Sequence, residues 1–240
     1  MKTTIALALM LVVAPVAAAQ VVPSEANRRA AIARFWSGQD FLQAERWEPA
    51  AAEFRAAIAL NALLTDAHYG LGQAQMGMKR YTSAALAFQS CLEAARRIHT
   101  LRARARVEAD RQVLDEVDEV LDTIRRRRGA DLRSRQLDQY IVTLLRTRSS
   151  LGLPFEPPAP VLLALGSAHF RNGDRSRAEY YWKEATRMND ELGEAWNNLA
   201  AVYAATTRRE EAAYAVARAE RAGFRVNPRL KDEIARLGQK

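Results

Sequence analysis

Small and apolar residues recur along the chain at helical spacing, and the pattern repeats after 34 residues. A shift of 34 places Gly38 on Gly72, and further along the chain it places Leu165 on Leu199. Other pairs that keep their size class are Trp47 with Tyr81, Ala50 with Ala84, Phe54 with Phe88, Ala178 with Ala212, and Ala185 with Ala219. A period of 34 residues is typical of a unit of two antiparallel helices. We therefore predict an all-α fold with four units, at residues 31–64, 65–98, 159–192 and 193–226.

The last unit keeps the most complete pattern of aromatic, small and apolar residues. Its pattern residues are Trp196, Asn198, Leu199, Ala200, Tyr203, Ala212 and Ala219. This pattern resembles that of the tetratricopeptide repeat (TPR) family, and the resemblance extends over four units, about 136 of the 240 residues. It implies an alpha-solenoid of TPR helix pairs, in which units stack because no unit can bury its apolar face alone. Gly72 and Gly166 are expected where the two helices of a unit cross, because a side chain there would hold the helices apart. The predicted repeat pairs occupy residues 24–98 and 159–226.

The segment between the two repeat pairs has no match at the 34-residue shift. Val107, Leu114 and Leu121 recur at seven-residue spacing, which predicts a helix with an apolar seam. Gly129 is a suitable stop, and a second helix is expected at residues 131–148. We predict an inserted αα-hairpin at residues 99–150, followed by a stiff Pro-rich linker at residues 151–158.

The two ends of the chain carry different patterns. Residues 1–19 contain one charge, Lys2, then an apolar stretch and an Ala-x-Ala site, which predicts a signal peptide cleaved after Ala19. We therefore expect an exported protein, periplasmic or secreted; the alternative is an uncleaved N-terminal anchor. Ser24 is expected to cap the first helix. At the other end, Asn227 and Pro228 predict the start of a capping helix within residues 227–240.

Composition excludes several classes of site. One cysteine and three histidines leave no basis for a disulfide framework or a metal site. Cys91 stands at the unit position that alanine holds in the other three units, so we expect it to be a packing residue, as we do His68 and His169. We also find no catalytic arrangement of nucleophile and base, and we expect neither enzymatic activity nor a cofactor. The formal net charge of +8 makes an anionic molecule a candidate partner. Nucleic acid is not an expected partner for an exported protein. Association with a membrane surface stays open, but we do not expect the protein to span a membrane.

Two binding surfaces are predicted. TPR proteins typically bind a peptide or partner protein on the concave face, which is lined by the first helix of each unit. Carried onto this chain, that face includes Gln39, Tyr69, Gln73, Phe170, Arg171, Asn197 and Asn198. The alternative is an anionic envelope polymer or lipid head groups bound by an arginine cluster in the hairpin. That cluster comprises Arg125, Arg126, Arg127, Arg128, Arg133 and Arg135.

Overall fold

The structure, a computed structural model, describes residues 23–128 and 154–237. Within these ranges every regular element is an α-helix, in agreement with the all-α prediction. The helices are α1 (Glu25–Gln43), α2 (Trp47–Leu60), α3 (Thr65–Gly77), α4 (Tyr81–Arg128), α5 (Ala159–Arg171), α6 (Arg175–Met188), α7 (Gly193–Ala205), α8 (Arg209–Arg221) and α9 (Pro228–Arg236). The predicted signal peptide and the predicted second helix of the hairpin lie outside the described residues.

The helices follow the 34-residue register. The first helix of a unit, called the A helix, begins at the first residue of the unit in α3, α5 and α7. The second, called the B helix, begins at the seventeenth residue of the unit in α2, α4, α6 and α8. The first A helix, α1, begins earlier, because the Ser24 side chain accepts a hydrogen bond from the Asn27 backbone N–H (3.2 Å) and caps it there.

The turn between the A and B helices has the same backbone geometry in every unit. The fifteenth residue has positive φ in all four, at 54° for Glu45, 60° for Lys79, 86° for Gly173 and 60° for Thr207. The next N–H donates to a carbonyl five residues back, as Arg208 N does to Tyr203 O (2.8 Å). This pattern of hydrogen bonds closes a helix with a left-handed residue, for which glycine is best suited. Only one of the four units uses glycine there.

The A and B helices of a unit cross where a glycine faces an aromatic ring. A Cβ added at Gly72 would lie 2.4 Å from Phe88, and one at Gly166 would lie 2.4 Å from the Trp182 indole. These contacts confirm the prediction that both glycines mark helix crossings. The last unit has Ala200 at the equivalent position, and the smaller Val216 replaces the ring.

The B helix of the second unit is far longer than its counterparts. Helix α4 runs without a break from Tyr81 to Arg128, so it crosses the predicted boundary between residues 98 and 99. The residues around that boundary include neither glycine nor proline, so nothing in the local sequence ends the helix. At 1.5 Å per residue, the thirty residues after Ile98 extend α4 by about 45 Å.

The solenoid continues across the insertion. Phe88 and Cys91 of α4 share one apolar cluster with Val161 and Leu165 of α5, and that cluster joins the second unit to the third. The first repeat pair therefore packs directly on the second, although 60 residues, 99–158, separate them in the sequence.

The described part of the Pro-rich segment, from Pro154 onward, packs against α4. The Phe155 ring lies 5.7 Å from His99 and 5.5 Å below the Arg96 guanidinium. At the other end, Asn227 caps α9, and Ile234 is buried against the last unit, as a closing helix requires. No helix within the described residues is both long and apolar enough to span a membrane.

Candidate partner-binding face

The four A helices form one side of the solenoid, which we call the A-helix face. Helix α1 contacts α3. Tyr69 and Met76 of α3 pack against the cluster that contains Leu165 of α5. In turn, Leu163 of α5 packs against the cluster that contains Leu199 of α7. Helix α1 therefore contacts α3, and each later pair of successive A helices shares an apolar cluster.

The structure distributes the seven predicted residues over these four helices. Gln73, Phe170 and Arg171 are exposed. The half-buried members are Gln39, Tyr69, Asn197 and Asn198. In the repeat register they fall at the fifth, sixth, ninth, twelfth and thirteenth positions of their units.

The side-chain amides on this face are not used internally. Within the described residues, the amides of Gln39, Gln73, Asn197 and Asn198 make no hydrogen bond to another protein group. An amide carries both donors and acceptors, so each can pair with the N–H or C=O of an incoming backbone.

The two aromatic residues on the face differ in their environment. Tyr69 lies 5.4 Å from Phe88, and burial raises the pKa of its hydroxyl. Phe170 lies 5.6 Å from Trp182 but keeps 39% of its surface exposed. Phe170 is therefore the more accessible apolar contact, whereas Tyr69 also takes part in the packing of α3 on α4.

His68 and His169 are buried, in agreement with the expectation that they are packing residues. His68 Nε2 donates to the Ala62 carbonyl (3.0 Å). The His169 ring stacks on Tyr181 at 5.4 Å, and burial lowers the pKa of the imidazole. Among the described residues, no group of three His, Cys, Asp or Glu side chains is placed to hold a metal ion.

Cys91 is buried, as its alignment with alanines predicted. The residue is 3% exposed, and burial raises the pKa of its thiol to about 11. At neutral pH the sulfur is therefore a protonated, inert packing group.

The structure has a feature that sequence reasoning missed, a pair of equivalent apolar grooves, each lined by one A helix and the two B helices next to it. One groove, of about 430 Å³, lies in the first repeat pair, and the other, of about 550 Å³, lies in the second. A shift of 128 residues maps one lining onto the other, for example His68 onto Trp196. Leu86, Tyr180 and Tyr214 stand at one unit position and are each about 60% exposed. Three large apolar residues at one repeat position were the pattern that could have revealed this surface.

An ionic network borders the second groove. Arg208 donates to both Glu179 oxygens (3.0 and 2.9 Å) and to Glu211 (2.6 Å), and its guanidinium lies 4.3 Å from the Tyr203 ring. Burial opposes ionisation of Glu179, but hydrogen bonds from Lys183 and Arg208 outweigh it and lower the pKa of that carboxyl. The network ties α6 to the turn before α8.

The repeat geometry defines the class of protein. Four helix pairs in a 34-residue register, with a small residue facing a larger side chain at each crossing, form a TPR-type alpha-solenoid.

Comparisons with known proteins give only distant likenesses. No protein-family model matches the chain, and no curated protein matches it. The chain is similar to the structure of TTC0263, a thermophilic TPR protein of Thermus thermophilus, with 19% identity, a TM-score of 0.38, and coverage of 88% of this chain and 100% of that one. It is also similar to PilF of Pseudomonas aeruginosa, with 16% identity, a TM-score of 0.38, and coverage of 90% and 91%. A third is YrrB, described as a TPR protein with an unusual peptide-binding site, with 15% identity, a TM-score of 0.33, and coverage of 90% and 95%. The fold assignment rests on the repeat geometry of the chain itself.

Proposed function

We propose that this protein is an exported scaffold that binds an extended peptide, or an extended segment of a partner protein, along the A-helix face. The observation that carries the proposal is the set of four amides, at Gln39, Gln73, Asn197 and Asn198, that make no hydrogen bond to another described group. Polar groups on a protein surface that are held on rigid helices and left without internal partners are suited to recognition.

Four of the other five asparagines use their side chains internally, and Asn27 is the exception. The side chains of Asn61, Asn189 and Asn227 each accept a backbone N–H near a helix end, and Asn172 accepts the Thr82 hydroxyl (3.1 Å). These amides stabilise turns and helix ends. The contrast supports a binding role for Asn198, which could otherwise be regarded only as a residue that stabilises the repeat.

Phe170 and Arg171 complete the proposed surface. The exposed Phe170 ring provides an apolar contact at the centre of the array, next to the joint between the repeat pairs. The adjacent Arg171 adds a positive charge. A peptide that matches this surface has an apolar side chain, with an acidic residue near it.

The binding test is affinity capture from an envelope fraction of the producing cells. Capture of one protein partner is expected with the wild type. It should be lost in the Tyr69→Ala/Asn198→Ala double variant and weakened in Gln73→Ala. Gln89→Ala is the matched control, because Gln89 is equally an exposed glutamine but lies on the B helix α4. Unchanged capture by the A-helix variants would refute the proposal.

Export is a separate part of the proposal. It is supported by the charge at Lys2, the apolar run and the cleavage pattern before Gln20. N-terminal sequencing of the protein from fractionated cells should find a chain that begins at Gln20 in the envelope or the medium. An intact N-terminus in the cytoplasmic fraction would overturn it.

A second candidate function is favoured by the length of α4. The helix continues past the solenoid to Arg128, so Arg125 to Arg128 stand about 40 Å along it from Ile98. We propose as the alternative that this arginine cluster binds an anionic envelope polymer or lipid head groups. Binding to heparin, used as a polyanion probe, should then weaken steeply between 50 and 200 mM salt, on the order of tenfold or more. Replacing the four arginines by glutamine should abolish it, whereas salt-insensitive binding would exclude this candidate.

A further inference from the structure

Helix α1 has an apolar surface that its counterparts in the later repeats do not have. In the second unit the residue equivalent to Trp36 is Gly70, and a Cβ added there would lie 2.5 Å from Phe54 of the preceding unit. In an inner unit this position is therefore covered by the neighbouring repeat. No described helix precedes α1, and Trp36 is 61% exposed there, with Ile32 47% exposed.

These two residues belong to a continuous stripe along α1. Helical spacing places Arg29, Ile32, Ala33, Trp36 and Asp40 on one side of the helix, and all five are exposed. We call this set the α1 stripe. It has Arg29 at one end, whose Nε donates to Glu25 of the same helix (2.9 Å) while the side chain stays exposed, an acidic residue at the other end, and apolar residues between them.

We propose that the α1 stripe binds the α1 stripe of a second copy of this chain, with the two helices antiparallel. A crossing centred between residues 34 and 35 places Trp36 of each chain opposite Ile32 and Ala33 of the other. The same register places Arg29 of each chain opposite Asp40 of the other. The stripe is therefore complementary to itself in both size and charge, as a two-fold interface requires.

The size of the helix sets the strength of the association. Helix α1 has 19 residues and is about 28 Å long. One such helix pair is smaller than the ~1,200–2,000 Å² of a standard interface. The dimer is therefore a weak one, with a dissociation constant in the micromolar range. A dimer presents two A-helix faces, so a partner that carries two binding segments would gain affinity through effective concentration.

The test is sedimentation velocity over roughly 1–300 μM protein, a range chosen to span micromolar affinities. It is applied to the full chain and to the chain that begins at Gln20. A concentration-dependent dimer is expected in both. The Trp36→Ala variant should stay monomeric, whereas the Tyr180→Ala variant, which removes an aromatic of equal exposure (59%) from a B helix, should dimerise normally. A monomer at every concentration, or a dimer only in the full chain, would overturn the proposal, the latter because the N-terminal segment would then be responsible.

Charge reversal tests the antiparallel register. Arg29→Asp and Asp40→Arg should each weaken dimerisation about five- to tenfold, because each puts like charges opposite each other twice in the dimer. The Arg29→Asp/Asp40→Arg double variant restores opposite charges and should return the dissociation constant to within about twofold of the wild type. If the dissociation constant of the double variant rises by the product of the two single-variant fold-changes, this arrangement is overturned.

Discussion

The crossing between Gly166 and Trp182 gives the sharpest test of the repeat geometry. A methyl group at residue 166 would lie 2.4 Å from both Cδ1 and Nε1 of the indole, and Trp182 is only 2% exposed. The Gly166→Ala variant must therefore displace the ring, which also loses the hydrogen bond from Nε1 to the Leu163 carbonyl (3.1 Å).

The magnitude follows from three contributions to the free energy of unfolding. Overpacking of a core costs about 1–3 kcal/mol, and the lost hydrogen bond costs about 1 kcal/mol. Replacing glycine by alanine inside a helix offsets about 1 kcal/mol of this. The net destabilisation is about 2 kcal/mol, and the thermal midpoint should fall by about 4–8 °C.

The assay is thermal and urea unfolding followed by circular dichroism, with a rescue variant. Gly166→Ala/Trp182→Val reproduces the Ala200 and Val216 pair of the last unit, so it should be more stable than the sum of the two single variants predicts. Ser176→Ala, at an exposed position of α6, is the control and should change stability by less than about 0.5 kcal/mol. A Gly166→Ala variant as stable as the wild type would refute the crossing as described.

Further predictions concern the buried thiol, a turn and the ionic network. Because burial raises its pKa to about 11, Cys91 should not react with a thiol reagent at pH 8 in the folded protein but should react fully in denaturant; rapid reaction of the native protein would contradict its burial. Thr207 has φ of 60°, so Thr207→Gly should stabilise the protein by about 0.5–1 kcal/mol, whereas Thr206→Gly, at φ −107°, should destabilise it; equal effects would contradict the strain. The pKa of Glu179 is lower in the folded protein than its ordinary value of 4.5, so its contribution is present above that pH and is lost as the pH falls through the folded-state value. Arg208→Gln should therefore lower stability at pH 7 more than at pH 3, and a pH-independent loss would contradict this.

Much of the solenoid could be predicted from the sequence because the determinants are local and repeated. The 34-residue spacing identified Gly72 and Gly166 as helix crossings, and the alanine-like position of Cys91 predicted its burial. The C-terminal end of α4 was harder to predict from the sequence. A repeat period marks where a unit ends by analogy with its neighbours, whereas a helix ends where a residue stops it, and no such residue follows Ile98.

The candidate surfaces were harder to predict for a different reason. Exposure depends on which repeat lies next to a residue, and sequence spacing does not contain that information. Trp36 and Gly70 share one repeat position, yet only Gly70 is covered, because α1 has no described repeat before it. Likewise, the direct packing of the first repeat pair on the second brings together residues separated by the whole insertion, such as Cys91 and Val161.

The central claim, that the A-helix face binds the partner, can be tested most directly by site-specific photo-crosslinking in the producing cells. A benzophenone amino acid would replace Phe170 on the A helix α5 or, as the comparison, Tyr180 on the B helix α6, which is also exposed. The proposed function predicts a crosslinked partner from position 170 and none from position 180. Crosslinking from position 180 alone would contradict the claim and would place the partner on the exposed surface of the B helices instead.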